Sequence, residues 1–150
     1  MLMHEKRKNK KYPLLPFSQL VFDMTRWAPW VYMFEVRWCW HSQKKELQRI
    51  ESAILQVLNH HPVFNMHVDA HGYQNYQSSP ATMKGQYYAI RLWTKGEDVY
   101  CRFRWSRILG DGKSIYIFFE NVIRAYRGEV LPPDEYLTYM DEQSHIQSSA

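Results

Sequence analysis

The chain has 150 residues, enough for one domain with a hydrophobic core of its own. Hydrophobic residues make up 45% of it and aromatic residues 16%, which excludes a disordered chain. The net charge is +4, and five of the basic residues lie within the first 11 positions. A nucleic-acid-binding protein would instead spread its basic residues over a folded face, so we expect no nucleic-acid partner.

No apolar run approaches the roughly 20 residues of a membrane-spanning helix, and the charged N-terminus lacks the apolar segment of a signal peptide. We therefore expect a cytoplasmic protein with no membrane partner. Cys39 and Cys101 both lie in strand-like runs. With so little cysteine, we expect two free, buried thiols rather than a disulfide.

In chain order, residues 1–11 are predicted to form a flexible basic leader. A helix is predicted over Phe17–Trp27, with Ser18 as its N-cap. Val31–Trp40 is rich in β-branched and aromatic residues, which predicts a strand.

The next segment shows helical periodicity. Ser42 is a plausible N-cap, and Pro62 ends the helix because proline disfavours a helical conformation in the residue before it. The apolar stripe between them is Leu47, Ile50, Ile54, Val57 and Leu58. Two short strands are then expected over Val63–Val68 and Tyr73–Gln77.

A strand–turn–helix unit lies at the centre of the chain. Gln86–Trp93 is predicted to pair with Asp98–Arg107, whose alternating residues indicate a half-buried strand. A Gly-Asp-Gly turn at 110–112 follows. The helix after it carries an apolar stripe of Ile115, Phe118, Phe119, Val122, Ile123 and Tyr126. A last helical segment is expected over Leu131–Met140, with residues 141–150 as a tail.

These elements predict an α+β fold, with a mixed, largely antiparallel sheet and two long helices packed on it. The unit that begins at Ser106 also carries a motif. Ser106-Arg107-Ile108-Leu109-Gly110-Asp111-Gly112 resembles His-His-x-x-x-Asp-Gly, the active-site motif of nonribosomal peptide synthetase condensation domains. Those domains are acyltransferases of the chloramphenicol-acetyltransferase-like fold.

The match is partial. Asp111 and Gly112 fit the end of the motif, and Ser114 fits a small polar residue often found after it. Ser106 and Arg107 stand where the family has its two histidines.

Two other stretches support the resemblance. Tyr12–Gln19 is similar to the family's proline-containing opening and first helix. Leu58–Val68 is similar to its helix-to-strand junction, where His61, Pro62 and Phe64 match. Asn65 stands where the family has an arginine that pairs with the motif aspartate. The resemblance implies that residues 12–140 form one lobe, the N-terminal one, of a two-lobed fold.

The resemblance also implies what the site residues do. The family's second histidine does the acid/base work, and Arg107 stays protonated and so cannot act as a base. Arg107 and Asp111 are the catalytic motif positions, and Asp111 has a mainly structural role in the family. Candidate binding residues are Ser106, Gly112, Ser114, Asn65 and His61.

The changes at the histidine and arginine positions indicate a lobe that has lost the chemistry and serves as a binding or assembly piece. We expect no bound cofactor; coenzyme A or phosphopantetheine would enter only as the carrier of a thioester substrate. A carrier protein, a second lobe or another copy of the chain is the expected partner.

Two alternatives remain open from the sequence. One is an active acyltransferase completed by oligomerisation or by a second lobe. The other is a metal or small-ligand binding module, for which His67, Asp69 and His71 would share one face of a strand. Their spacing matches no zinc signature, so no metal ligands are assigned. The six tryptophans are expected in the core or on a face covered by a partner: Trp27, Trp30, Trp38, Trp40, Trp93 and Trp105.

Overall fold

The computed structural model describes residues 10–25, 28, 33–110 and 112–149, and the side chains of all of these except 112–113 and 143–149. The strands are β1 (Lys11–Pro13), β2 (Met33–Trp40), β3 (Met66–Val68), β4 (Tyr73–Tyr76), β5 (Tyr88–Lys95) and β6 (Asp98–Ser106). The helices are α1 (Pro16–Thr25), α2 (Leu47–His60), α3 (Gly112–Tyr126) and α4 (Tyr136–Ser149). Short 3-10 helices precede and follow α2 at Lys44–Glu46 and Pro62–Asn65. The predicted α+β class is confirmed.

The larger sheet is antiparallel, with strand order β2-β6-β5. Every second side chain of β6 faces the core, as its sequence pattern predicts. These side chains are Val99, Cys101, Phe103 and Trp105, and all four are buried. Cys39 pairs with Tyr100 and Trp38 with Cys101, so the two cysteines point to opposite faces of the sheet. Both thiols are free, as predicted, but of the two only Cys101 is buried where two buried thiols were expected.

Helices α2 and α3 pack against each other and against the inner face of this sheet. Their apolar stripes are the ones that the sequence predicts, and most of their members are buried: Ile50, Ile54, Val57, Leu58, Ile115, Phe118, Phe119 and Val122. The Trp38 ring stacks on Phe119, with ring centroids 4.9 Å apart. This interface holds the largest cluster of buried hydrophobic residues in the described part of the chain. Burying one such side chain contributes about 1.5–3 kcal/mol to the free energy of folding, so this cluster is the main core.

The smaller sheet is also antiparallel, in the order β1-β4-β3, so the strands form two sheets where the sequence suggested one. Its cluster joins both ends of the described chain: Tyr12 and Met66 pack with Leu137 and Met140. Lys10 forms an ion pair with Asp141. Residue 11 therefore begins a strand rather than ending a leader, and the tail expected from residue 141 continues α4.

Both predicted N-caps were wrong. Helix α1 begins at Pro16, so Ser18 lies inside it and donates to the Ile108 carbonyl over 3.3 Å. Ser42 lies before the 3-10 helix, and its amide donates to Asp98 over 2.9 Å. Each serine makes a contact distant in sequence, which a local capping rule does not foresee. No helix among the described residues is long and apolar enough to cross a membrane.

Candidate functional site

The turn after β6 is held together by Ser106, which is almost fully buried. Its amide donates to the Tyr87 carbonyl over 2.8 Å. Its side-chain oxygen accepts from the Ile108 amide over 3.2 Å, and its carbonyl accepts from the Leu109 amide over 3.0 Å. Ser106 therefore braces the turn at the first histidine position, where the sequence suggested a binding residue.

Gly110 sits where the turn approaches the next helix most closely. Its φ is 152°, and a Cβ atom added there would lie 2.9 Å from the Ser114 hydroxyl. Its carbonyl accepts from the Trp105 indole over 3.4 Å. Helix α3 begins at Gly112 as the motif implies. Asp111 lies outside the described residues.

Arg107, at the second histidine position, packs between two aromatic rings. Its guanidinium carbon lies 5.1 Å from the Phe17 ring centroid and 5.4 Å from that of Phe34. These distances are typical of cation–π contacts. The Nε atom is buried, with no hydrogen-bond partner among the described residues. The side chain is thus held by α1 and β2.

Beneath the turn lies a cavity of about 230 Å³. Its lining is mostly aromatic and aliphatic, with polar groups at one side. The lining residues are His61, Val63, Phe64, Phe103, Trp105, Leu109, Gly110, Ser114, Ile115, Ile117, Phe118, Asp134 and Tyr136. We call it the motif cavity. Two predicted site residues, His61 and Ser114, line it, and Arg107 does not.

A chain of hydrogen bonds borders this cavity. The Arg124 guanidinium donates to the side-chain oxygen of Asn121 over 2.9 Å. Because arginine can only donate, the amide nitrogen of Asn121 faces His61 and donates to Nε2 over 3.0 Å. The ring proton of His61 therefore sits on Nδ1, which donates to Asp134 over 2.5 Å. Both ring nitrogens of His61 are therefore engaged.

Asp134 ends the chain as its acceptor. Burial opposes ionisation of the Asp134 carboxyl, but hydrogen bonds from His61 and from the Tyr136 amide outweigh it, so its pKa is lowered. Burial raises the pKa of Tyr136 to about 12, and its hydroxyl donates to Gln74 over 2.8 Å. At neutral pH the cavity therefore contains a paired carboxylate and a protonated phenol.

The remaining candidates lie elsewhere. Asn65 lines a different cavity of about 170 Å³, together with Gln86. In the metal alternative, Asp69 Oδ1 accepts from the amides of His71 and Tyr73 over 2.9 Å and 3.1 Å, and Oδ2 pairs with Lys11 over 3.6 Å. Of the tryptophans, Trp105 is buried, Trp38 and Trp40 pack on the core, and Trp27 and Trp30 lie outside the described residues.

The sequence analysis selected neither Asp134 nor Asn121 as a site residue. Asp134 lies 73 residues from His61 along the chain, and Asn121 lies 60 residues away. No spacing rule links positions so far apart. The only local signal was an asparagine within the apolar stripe of α3, where a buried amide requires partners.

Solved structures with a similar fold identify the fold class. The starter condensation domain of rhizomide synthetase is 14% identical, with a TM-score of 0.73 over 93% of this chain and 44% of that chain. The first condensation domain of the CDA synthetase is 12% identical, with a TM-score of 0.65 over 83% of this chain and 42% of that one. The X-domain from teicoplanin biosynthesis, in its complex with OxyB, is 14% identical, with a TM-score of 0.69 over 83% of this chain and 35% of that one.

The chain therefore has the fold of a condensation-domain lobe, within the chloramphenicol-acetyltransferase-like class, as the motif resemblance implied. It spans less than half the length of each of these three structures. No protein-family model matches the sequence, and no curated protein matches it.

Proposed function

We propose that this lobe binds an acyl or aminoacyl group, carried as a coenzyme A or phosphopantetheine thioester, and does not transfer it. The observation that carries the proposal is the engagement of both ring nitrogens of His61. A general base needs a lone pair within reach of the nucleophile, and the Nε2 lone pair is occupied by Asn121. Arg107, at the family's catalytic position, packs between Phe17 and Phe34 instead.

The motif cavity supports the binding half of the proposal. Phe64, Trp105 and Phe118 supply apolar and aromatic surface for an acyl chain, and Ser114 adds a hydroxyl at the start of α3. A volume of about 230 Å³ suits a short chain rather than a large substrate.

An apolar patch beside Arg107 supports an assembly role. Phe17, Leu20 and Met24 lie on one face of α1 and are exposed by 47%, 50% and 39%. Phe34 lies against the other side of the Arg107 guanidinium and is also exposed. A second lobe or a carrier protein is the proposed partner for this patch. The X-domain from teicoplanin biosynthesis offers a precedent, since it was solved in complex with OxyB.

The test is titration of acyl-coenzyme A and carrier-bound thioesters of increasing chain length, followed by calorimetry and by tryptophan fluorescence. We expect saturable binding of short acyl chains and no transfer to an amine or alcohol. Ser114→Phe should abolish binding because it fills the cavity. Tyr116→Phe is the matched control, since Tyr116 is exposed on the same helix turn and does not line the cavity.

The alternative of an active acyltransferase draws on one observation, the His61–Asp134 pair beside the cavity. It requires His61 Nε2 to leave Asn121 when substrate binds. In the same assay, turnover that His61→Asn abolishes would favour this alternative. Turnover that Arg107→Ala abolishes would overturn the proposal by a different route.

A further inference from the structure

A second group of reactive side chains lies at the opposite end of β6 from the motif turn. Asp98 is the first residue of β6, and Cys39 lies on the outer face of β2, paired with Tyr100. His41 follows β2 directly. These three residues come together because β2 and β6 are antiparallel neighbours, so the end of one strand meets the start of the other.

Their ligand atoms are spaced as a metal ion requires. Cys39 Sγ lies 3.7 Å from His41 Nδ1, and His41 Nδ1 lies 3.5 Å from Asp98 Oδ2. All three atoms lie within 4.8 Å of one another. Zinc binds sulfur at about 2.3 Å and nitrogen or oxygen at about 2.0–2.2 Å, so the edges of its tetrahedron measure roughly 3.3–3.6 Å. A zinc ion would fit with only small side-chain movements.

The carboxylate is already oriented by the backbone. The Ser42 amide donates to Asp98 Oδ1 over 2.9 Å, which leaves Oδ2 directed at His41. The Lys44 amide donates to the Glu97 carbonyl over 3.0 Å and ties the loop after β2 to the β5–β6 hairpin. Two of the ligand-bearing segments are therefore held together without the ion.

We propose that Cys39, His41 and Asp98 bind a zinc ion, with water as the fourth ligand. A thiolate and an imidazole favour a borderline-soft ion such as Zn²⁺ over Mg²⁺ or Ca²⁺, which prefer oxygen ligands. Binding replaces the thiol proton of Cys39 with the metal and releases that proton to solvent. The site does not depend on the proposed function, because it shares no residue with the motif cavity.

The open fourth position gives the site a ligand-binding capacity. Cys39 and His41 also line a cavity of about 430 Å³ whose other walls include Trp38, Trp40 and Tyr126. Three protein ligands plus water is the arrangement of catalytic rather than structural zinc sites. A carboxylate or thiol that approaches from the outer face of the sheet, where Cys39 points, could replace the water on the metal.

The test is titration of the full chain, freed of metal by a chelator, with Co²⁺ and then Zn²⁺. We expect one Co²⁺ per chain, a thiolate-to-cobalt charge-transfer band in the near ultraviolet, and loss of that band when Zn²⁺ displaces the cobalt. Cys39→Ser should remove the band. His41→Ala and Asp98→Asn should each weaken affinity by about tenfold or more.

Two controls make the assignment specific. His67→Ala removes an exposed histidine of the alternative cluster and should leave the titration unchanged. Cys101 is buried on the opposite face of the sheet, so Cys101→Ala should keep the band if the variant folds. Absence of a band in the wild-type chain, or a band that survives Cys39→Ser, would overturn the proposal. A melting temperature raised by Zn²⁺ in wild type and not in Cys39→Ser would support it independently.

Discussion

The two ends of β6 place reactive side chains in opposite situations. At its C-terminal end, the motif turn adjoins His61 and Asp134, whose side chains are only 15% and 16% exposed. At its N-terminal end, His41 is 82% exposed beside Asp98. The partly buried imidazole of His61 has a partner for each nitrogen, whereas His41 Nδ1 lies 3.7 Å from the Cys39 thiol and 3.5 Å from the Asp98 carboxylate.

Burial explains the difference. A polar group removed from water loses free energy unless a hydrogen bond replaces the lost water, so the buried end of the strand commits its histidine to structure. The exposed end has no such requirement, and its side chains stay available to a ligand. A histidine and an aspartate can therefore meet at both ends, while only the exposed pair stays available to a metal ion.

The largest expected effect comes from breaking the buried end. His61→Ala leaves Asn121 and Asp134 without their partner, and the partly buried Asp134 carboxylate loses its main side-chain donor. We expect the free energy of unfolding to fall by about 2–4 kcal/mol. Chemical denaturation monitored by tryptophan fluorescence measures this.

His60→Ala is the matched control, because His60 is the preceding residue and its Nε2 donates to the Pro132 carbonyl over 2.5 Å. We expect the smaller loss there. Equal losses in the two variants would mean that the hydrogen-bond chain is not what distinguishes the buried end.

The next largest loss of stability is expected from replacing a glycine near one end of β6, compared with the same change near the other end. Gly110 and Gly96 both have positive φ, but an added Cβ meets Ser114 at 2.9 Å only at Gly110 and has nothing within 4 Å at Gly96. In Gly96→Ala we expect only the backbone strain of a positive φ, which lowers the free energy of unfolding by about 1 kcal/mol. Gly110→Ala adds the steric contact, and we expect about 1–3 kcal/mol in total.

Removing the Ser114 hydroxyl tests the cause of that difference. In the double variant Gly110→Ala with Ser114→Ala, part of the Gly110→Ala loss should be regained because the contact atom is gone. If the double variant is no more stable than the single one, the close approach of the turn to α3 is not responsible.

The features that the sequence predicts are those that depend on nearby residues, and the features it misses depend on tertiary packing. Periodicity gave the stripes of α2 and α3 and the faces of β6, because each depends on neighbours within a few residues. The resemblance predicted the fold class and selected Ser114 and His61, which the structure brings to one cavity. The chemistry at that cavity depends on Asn121 and Asp134, which only tertiary packing brings to His61. The same holds for Cys39 and Asp98, which strand pairing brings together.

A smaller effect is expected in the acid stability of the two aspartates. The pKa of Asp134 in the folded chain is below its ordinary value of 3.8. Its contribution to stability is therefore present above pH 3.8 and lost as the pH falls through the lower folded-state pKa. Asp134→Asn should flatten the decline of unfolding free energy in this acid range.

Asp98→Asn is the counterpart at the exposed end. Its side-chain oxygen still accepts from the Ser42 amide, and solvent and salt screen its charge. We expect a smaller change in the acid profile than for Asp134→Asn, and one that shrinks further at high salt. A larger change at Asp98 would reverse the contrast between the two ends.

The smallest change in stability is expected at Arg107, where condensation domains have their second histidine. The Arg107 Nε atom is buried without a partner among the described residues, so its loss removes a desolvation cost. Arg107→Met keeps an apolar stem between Phe17 and Phe34 and should change stability by no more than about 0.5 kcal/mol. Arg107→Ala loses both ring contacts and should lower the free energy of unfolding by about 1 kcal/mol.

Acyl-thioester binding should be the same in Arg107→Met as in wild type, because Arg107 lies outside the motif cavity. A methionine variant that folds normally but no longer binds the thioester would show that the guanidinium acts on the ligand after all. Arg107 would then act at the position where condensation domains have their second histidine.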